Sequence, residues 1–217
     1  NSFCTLLAFN NHRSRNPLQC TMEYSAQAVV LGGAHVGKTQ LVRRMATQPL
    51  SFQTRYQRTI GLDFCRALET VVHGTATPAE KSGVILWDTE GGYAPMRSVI
   101  HAVTRRAFAY VLVFAVDDLA SLADIESEYL QFVPDVSDDT ERRLVVLVAA
   151  KCDLTDRTVS TEEGMACADR IGADGYVETS AKIDAGVGQL LRILETGGCT
   201  PAGRVGAVKL PRPLALR

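Results

Sequence analysis

Apolar runs of strand length alternate with amphipathic stretches of helix length along most of the chain. "YSAQAVVL" (24–31) reads as a buried strand, followed by a glycine turn and a helix over 38–46. "GLDFCRALETVVH" (61–73) and "SGVILWD" (82–88) read as two strands joined by the turn-forming "GTATPAEK", and hence as antiparallel neighbours. The pattern then predicts a helix over 96–106, a strand over 109–117, a long helix over 119–133 and the central strand "LVVLVAA" (144–150). A helix over 160–171, a short strand "GYVE" (175–178) and a last helix over 185–196 complete the order, with the pair Gly197 and Gly198 expected to end that helix. Such an alternation implies an α/β protein with a six-stranded, mostly parallel sheet and helices on both faces. One folded domain is expected over 24–196. The stretch 1–23 is expected to be a disordered extension, and 197–217, with Arg204, Lys209, Arg212 and Arg217, a flexible basic tail.

Composition narrows the class without naming a chemistry. Hydrophobic residues make up 46% of the 217 and charged ones 22%, with a formal net charge of -1, so neither a disordered chain nor a general nucleic-acid-binding surface is indicated. Cys4, Cys20, Cys65, Cys152, Cys167 and Cys199 form no CxxC pair, which points to reduced thiols, an intracellular compartment and no zinc site. No apolar run reaches the roughly 18 residues of a membrane span. The end "LALR" is not a Cys-a-a-X signal, so no C-terminal prenylation motif is expected, although the basic tail leaves peripheral membrane association open. Oligomeric state is unread.

"GGAHVGKT" (32–39) satisfies G-x-x-x-x-G-K-[ST] between a predicted strand and a predicted helix. Gly32 and Gly37 permit a backbone curl whose amides converge on phosphate oxygens, and the helix N-terminus adds its positive end. Lys38 is expected to reach the β- and γ-phosphates, and the Thr39 hydroxyl to ligate Mg²⁺. Asp88, at the end of a strand parallel to the one before the phosphate loop, is expected at the same ion. The plainer reading is a glycine turn beside a surface lysine, with Asp88 capping the next segment. "AAKCDL" (149–154) and "ETSAK" (178–182) follow the last two predicted strands and so stand on the same sheet edge.

Together with Thr59, "DTEG" (88–91) and "SAK" (180–182), these motifs resemble the small GTPases of the Ras superfamily over about 25–196, and "TIGLDF" (59–64) is most similar to the Rab branch. The resemblance implies a P-loop NTPase three-layer sandwich that binds GTP or GDP with Mg²⁺ and acts as a guanine-nucleotide switch, read by effector or regulatory proteins at its switch segments. It places Gly33, Ala34, His35, Val36, Gly37, Lys38 and Thr39 around the phosphates, and Lys38, Thr59 and Gly91 at the reacting group. Thr39, Thr59 and Asp88 would hold the metal; Phe52, Lys151, Asp153, Ser180, Ala181 and Lys182 would meet the base. Tyr56 would lie over the phosphates. Phe52 also reads as a core aromatic, and His35 as an exposed loop residue.

Three positions depart from the family's pattern. Ala150 stands for the asparagine of N-K-x-D, which weakens the expected hold on the base by a hydrogen bond worth about 0.5–1.5 kcal/mol. Gly92 stands for the glutamine that orients the attacking water, and Ala34 adds a methyl where glycine is common; both imply slow hydrolysis. Glu90, between the threonine and glycine of "DTEGG", is expected to point into solvent, because a carboxylate near a γ-phosphate repels it. A pseudo-GTPase scaffold is the alternative reading. An ATP-using phosphoryl-transfer enzyme would explain Lys38 but leave Asp153 and "SAK" without a role.

Overall fold

A computed structural model of the chain describes residues 25–46, 52–55, 57–71, 81–91, 97–134 and 143–198. Strand β1 (Ser25–Leu31) leads to helix α1 (Lys38–Met45), then β2 (Leu62–Val71) and β3 (Lys81–Thr89), helix α2 (Arg97–Thr104) and β4 (Ala109–Ala115). Helix α3 (Leu119–Asp124), β5 (Leu144–Ala150), α4 (Thr161–Arg170), β6 (Gly175–Glu178) and α5 (Val187–Gly198) follow. The six strands lie in the order β2-β3-β1-β4-β5-β6. Only β2 runs antiparallel, to β3; the other neighbours are parallel, with Val30 in register with Asp88.

Alternate strand residues supply the two cores, as the period of two requires. Ala28, Val30, Val111, Val113, Val146 and Val148 pack with Leu41 and Met45 of α1 and with Leu190 and Leu194 of α5. Val29, Leu31, Tyr110, Leu112, Phe114 and Leu147 pack on the other face with Ile100 of α2, Leu122 of α3 and Cys167 of α4. The sheet is therefore buried on both sides, which is why its central strands read as unbroken apolar runs.

Two helices differ from the expectation. The helix predicted over 119–133 is α-helical only to Asp124, then turns through a π segment, Ile125–Tyr129, and a short 3₁₀ segment, Leu130–Phe132. Ser127 Oγ donates back to the Ala123 carbonyl at 3.2 Å, a bond that competes with the regular ladder, and the Leu130 N–H reaches the Ile125 carbonyl five residues back. At the other end, α5 continues through Gly197 and Gly198 rather than stopping before them. A Cβ at Gly197 would fall 2.7 Å from Leu144 Cδ2, so this glycine lets α5 approach β5 closely. The extension over 1–23 lies outside the described residues, as does the tail beyond Gly198.

Candidate functional site

The turn after β1 is forced into its shape by backbone that only small residues take easily. Gly32 has φ 150° and a Cβ there would lie 2.1 Å from the Val113 carbonyl oxygen; Gly37, the N-cap of α1, has φ 106°. No acidic side chain occupies the first turn of α1, so its positive end is free for an anion. Lys38 folds back over the loop, donating from Nζ to the carbonyls of Gly32 (2.7 Å) and Gly33 (2.6 Å). Burial pushes its ammonium down to about 8, with Asp88 opposing the shift.

Beside Lys38, three oxygen-bearing side chains from three elements converge. Thr39 Oγ1 donates to Asp88 Oδ2 at 2.7 Å, and the Thr59 hydroxyl lies 2.8 Å from Thr39 Oγ1 and 3.2 Å from Asp88 Oδ2. Asp88 is held at the end of β3 by its neighbour Thr89, whose hydroxyl donates to the Val30 carbonyl at 2.7 Å. Its second oxygen, Oδ1, is buried with no hydrogen-bond partner among the described residues, and burial raises the carboxyl above its ordinary range. A buried carboxylate with two hydroxyls on one oxygen and the other oxygen orphaned suits a small hard cation such as Mg²⁺, which takes oxygen ligands.

At the far end stand the loops after β5 and β6. Asp153 Oδ1 accepts from Ser180 Oγ at 2.6 Å, and its Oδ2 lies 3.6 Å from Lys182 Nζ. Lys151, at φ 63°, donates to both oxygens of Asp117 at 3.0 and 3.1 Å. Arg44, in the last turn of α1, donates to the Ala181 carbonyl at 2.6 Å and reaches the Lys182 carbonyl at 3.4 Å. A cavity of about 510 Å³ joins the two ends. Ala34, His35, Gly37, Lys38, Thr39, Phe52, Thr59, Gly91, Lys151, Asp153, Ser180, Ala181 and Lys182 all line it, with Ala150.

Three residues expected at the ligand are not on the wall. Val36 is 1% exposed and sits in the core, Gly33 turns its carbonyl to Lys38, and Asp88 stands behind Thr39 and Thr59. Tyr56 and Gly92 lie outside the described residues.

The Ras family model matches residues 27–196. The chain belongs to the Ras family. It is 31% identical over 195 residues to the GTP-binding protein rho3 of Schizosaccharomyces pombe, covering 85% of this chain and 84% of that one. It is 31% identical to the Ras-related protein Rab-8B of Homo sapiens over 77% of this chain and 75% of that one, and 34% identical to the Ras-related protein Rab-9B of Pongo abelii over 74% and 76%. As a Ras-family small GTPase it is a GTP-binding switch protein, with GTP or GDP and Mg²⁺ as its ligands. Among the described residues no helix is long and apolar enough to cross a membrane.

Within this Ras-family site, Glu90 departs from what its sequence suggests. Rather than facing solvent it is 6% exposed, because Arg58 Nε (2.8 Å) and Nη2 both donate to Oε1 and the Gly61 N–H donates to Oε2 at 3.0 Å. The Gly61 amide and the Arg58 guanidinium hold its carboxyl below the usual range. Gly91 packs on the phosphate loop, where an added Cβ would fall 2.5 Å from both the Ala34 nitrogen and Cα. Sequence reading also missed Asp117, Arg44 and Gln40, whose Oε1 accepts from the Gln53 N–H at 3.1 Å beside Phe52. Asp117 had a signal, lying just past the end of β4 on the ligand edge; Arg44 and Gln40, on a helix facing several loops, had none.

Proposed function

We propose that this chain is a Rab-like switch of intracellular trafficking or signalling that hydrolyses GTP slowly. One observation carries the nucleotide reading: Thr39 and Thr59 line one end of the cavity with Asp88 bonded behind them, and Asp153, tied to Ser180, stands at the other. Lys38 offers its charge to the β- and γ-phosphates, and the phosphate-loop amides from Gly33 to Thr39 surround them. Thr39, Thr59 and Asp88 would hold Mg²⁺, which when bound would supply positive charge beside the phosphate oxygens. Asp153 accepts from the N1 and N2 donors of guanine, a pair adenine lacks, while the Ala181 amide meets O6 and Phe52 and Lys151 flank the ring.

Hydrolysis needs a water oriented toward the γ-phosphate, and Gly92 brings no side chain to hold one. Since positioning and electrostatics carry most of phosphoryl transfer, an unoriented water leaves turnover slow, and the methyl that Ala34 adds to the phosphate loop works in the same direction. The Rab-like assignment is supported by "TIGLDF" and by the relatives above.

The test is a titration with fluorescent GDP, GTP and ATP analogues in Mg²⁺, followed by phosphate release under single turnover. Guanine binding at micromolar level or tighter, with slow release, is expected; ATP binding equal to that of GTP would overturn the reading. Asp153→Asn should weaken GTP binding at least tenfold, since it leaves a guanine donor unpaired. Gly92→Gln should speed release about tenfold or more.

A further inference from the structure

The turn that follows β6 is closed at its base by its own backbone. Ser180 and Ala185 form an isolated antiparallel bridge: the Ser180 N–H donates to the Ala185 carbonyl at 2.9 Å, and the Ala185 N–H to the Ser180 carbonyl at 3.1 Å. The second of these bonds orients the planar peptide unit that joins Ser180 to Ala181. The N–H of that unit is the one assigned to the purine oxygen. Ser180 Oγ strengthens the base of the turn, donating to Asp153 Oδ1 and accepting from the Ile183 N–H at 3.3 Å. Gly186, at φ 70°, then carries the chain back so tightly that a Cβ there would fall 2.0 Å from the Glu178 carbonyl oxygen.

One side of Ala181 is thereby fixed, and the other needs help from outside. Among the described residues no backbone N–H donates to the Ala181 or Lys182 carbonyl. Arg44 supplies both donors from α1, through Nε to Ala181 at 2.6 Å and through Nη2 to Lys182 at 3.4 Å. A cation in the last turn of a helix ordinarily serves that helix's own final carbonyls. Arg44 turns outward instead, and its planar fork spans two consecutive carbonyls of a loop 137 residues further along the chain.

We propose that Arg44 is a positioning residue for base recognition: by holding these two carbonyls it aims the Ala181 amide at the six-position oxygen of the purine, and so sets how strongly the site prefers an oxygen there. The proposal rests on the nucleotide reading above and deepens it by dividing that reading between two supports. Asp153, which meets the N1 and N2 donors, is tied to Ser180 inside the bridge, whereas Ala181 lies beyond the bridge and depends on Arg44. A donor aimed in advance keeps its full bond to the ligand; one left to rotate must be ordered at binding.

Affinities for GDP, 6-thio-GDP and IDP, measured on the parent and on two variants, test this. The thio analogue keeps both donors but offers sulfur, a weaker acceptor, in place of the oxygen; IDP keeps the oxygen and lacks the N2 amine. The parent should favour GDP over 6-thio-GDP by about fivefold. In Arg44→Ala the affinity for GDP should fall about fivefold and that for 6-thio-GDP less than twofold, while the preference for GDP over IDP stays within about twofold of the parent's. Arg44→Lys, which keeps the charge but has no fork, should fall between, and carries the test by the same two ratios if the alanine variant does not fold. An equal loss for all three ligands would show a role in stability alone and overturn the proposal. So would a parent that binds 6-thio-GDP as tightly as GDP, or an Arg44→Ala protein with unchanged GDP affinity. A parent that binds no guanine nucleotide would defeat the functional reading and the positioning role together.

Discussion

Lys38 shows how much of the site's chemistry lives in single side chains. Burial holds its ammonium at about 8 against an ordinary 10.5, so between those values the unfolded chain carries a proton that the folded one has lost. Stability of the unliganded protein therefore rises with pH across that window, and the penalty of burying the charge is fully present below about 8. A bound triphosphate favours the charged form. Nucleotide binding near pH 9 should accordingly take up a proton, and affinity should decline as pH climbs past 8; calorimetry in two buffers of different ionisation heat checks both. Asp88 runs the opposite way. Its carboxyl is raised by burial, so Mg²⁺-dependent binding should weaken as acid protonates it. Lys38 stood out in the sequence by motif spacing and Asp88 by its place at the end of a strand parallel to the one before the phosphate loop, because phosphate and Mg²⁺ make specific demands on short motifs. Glu90 did not, since its partner Arg58 lies 32 residues earlier and only the fold brings them together.

Among the elements, β5 and β6 appear over the same residues expected from the sequence, 144–150 and 175–178; for β5 the reason is that a strand covered on both faces must be apolar throughout. Helix α4, Thr161–Arg170, lies within one residue at each end of the expected 160–171, its start fixed by the reciprocal capping box of Ser160 and Glu163. Misreadings came where tertiary contact or side-chain bonding decides. The π turn after α3 goes with a hydroxyl bonding backward, and Gly197, inside the continued α5, packs closely against Leu144. Two glycines separate these effects. A Cβ at Gly164 would lie 2.5–2.8 Å from the Tyr176 ring and hydroxyl, themselves buried and bonded to Glu178. Overpacking of that kind costs about 1–3 kcal/mol and the helix propensity of alanine returns about 1, so Gly164→Ala should lose up to about 2 kcal/mol in urea denaturation. Gly197→Ala meets only the end of the Leu144 side chain and should stay within about 0.5 kcal/mol.

For the molecule as a whole, the parallel order of β3, β1, β4, β5 and β6 brings the loops after β1, β3, β5 and β6 to one edge of the sheet, where all the candidate residues stand. A ligand bridging those loops binds only the folded state. At a hundredfold excess over its dissociation constant it should add about 2.7 kcal/mol, or roughly 5–10 °C in thermal melting, for GDP or GTP with Mg²⁺ and not for ATP. Helix α1 spans this edge in a particular way. Its first residue, Lys38, lies at the phosphate end, and Arg44 near its last turn grips the carbonyl of Ala181 at the base end. One rigid rod thus sets the distance between two recognition points, like the beam of a calliper. A molecule long enough to touch both arrives as a bivalent guest, each contact raising the local concentration of the other. A free base or a free pyrophosphate, able to engage one jaw at a time, gains none of that advantage.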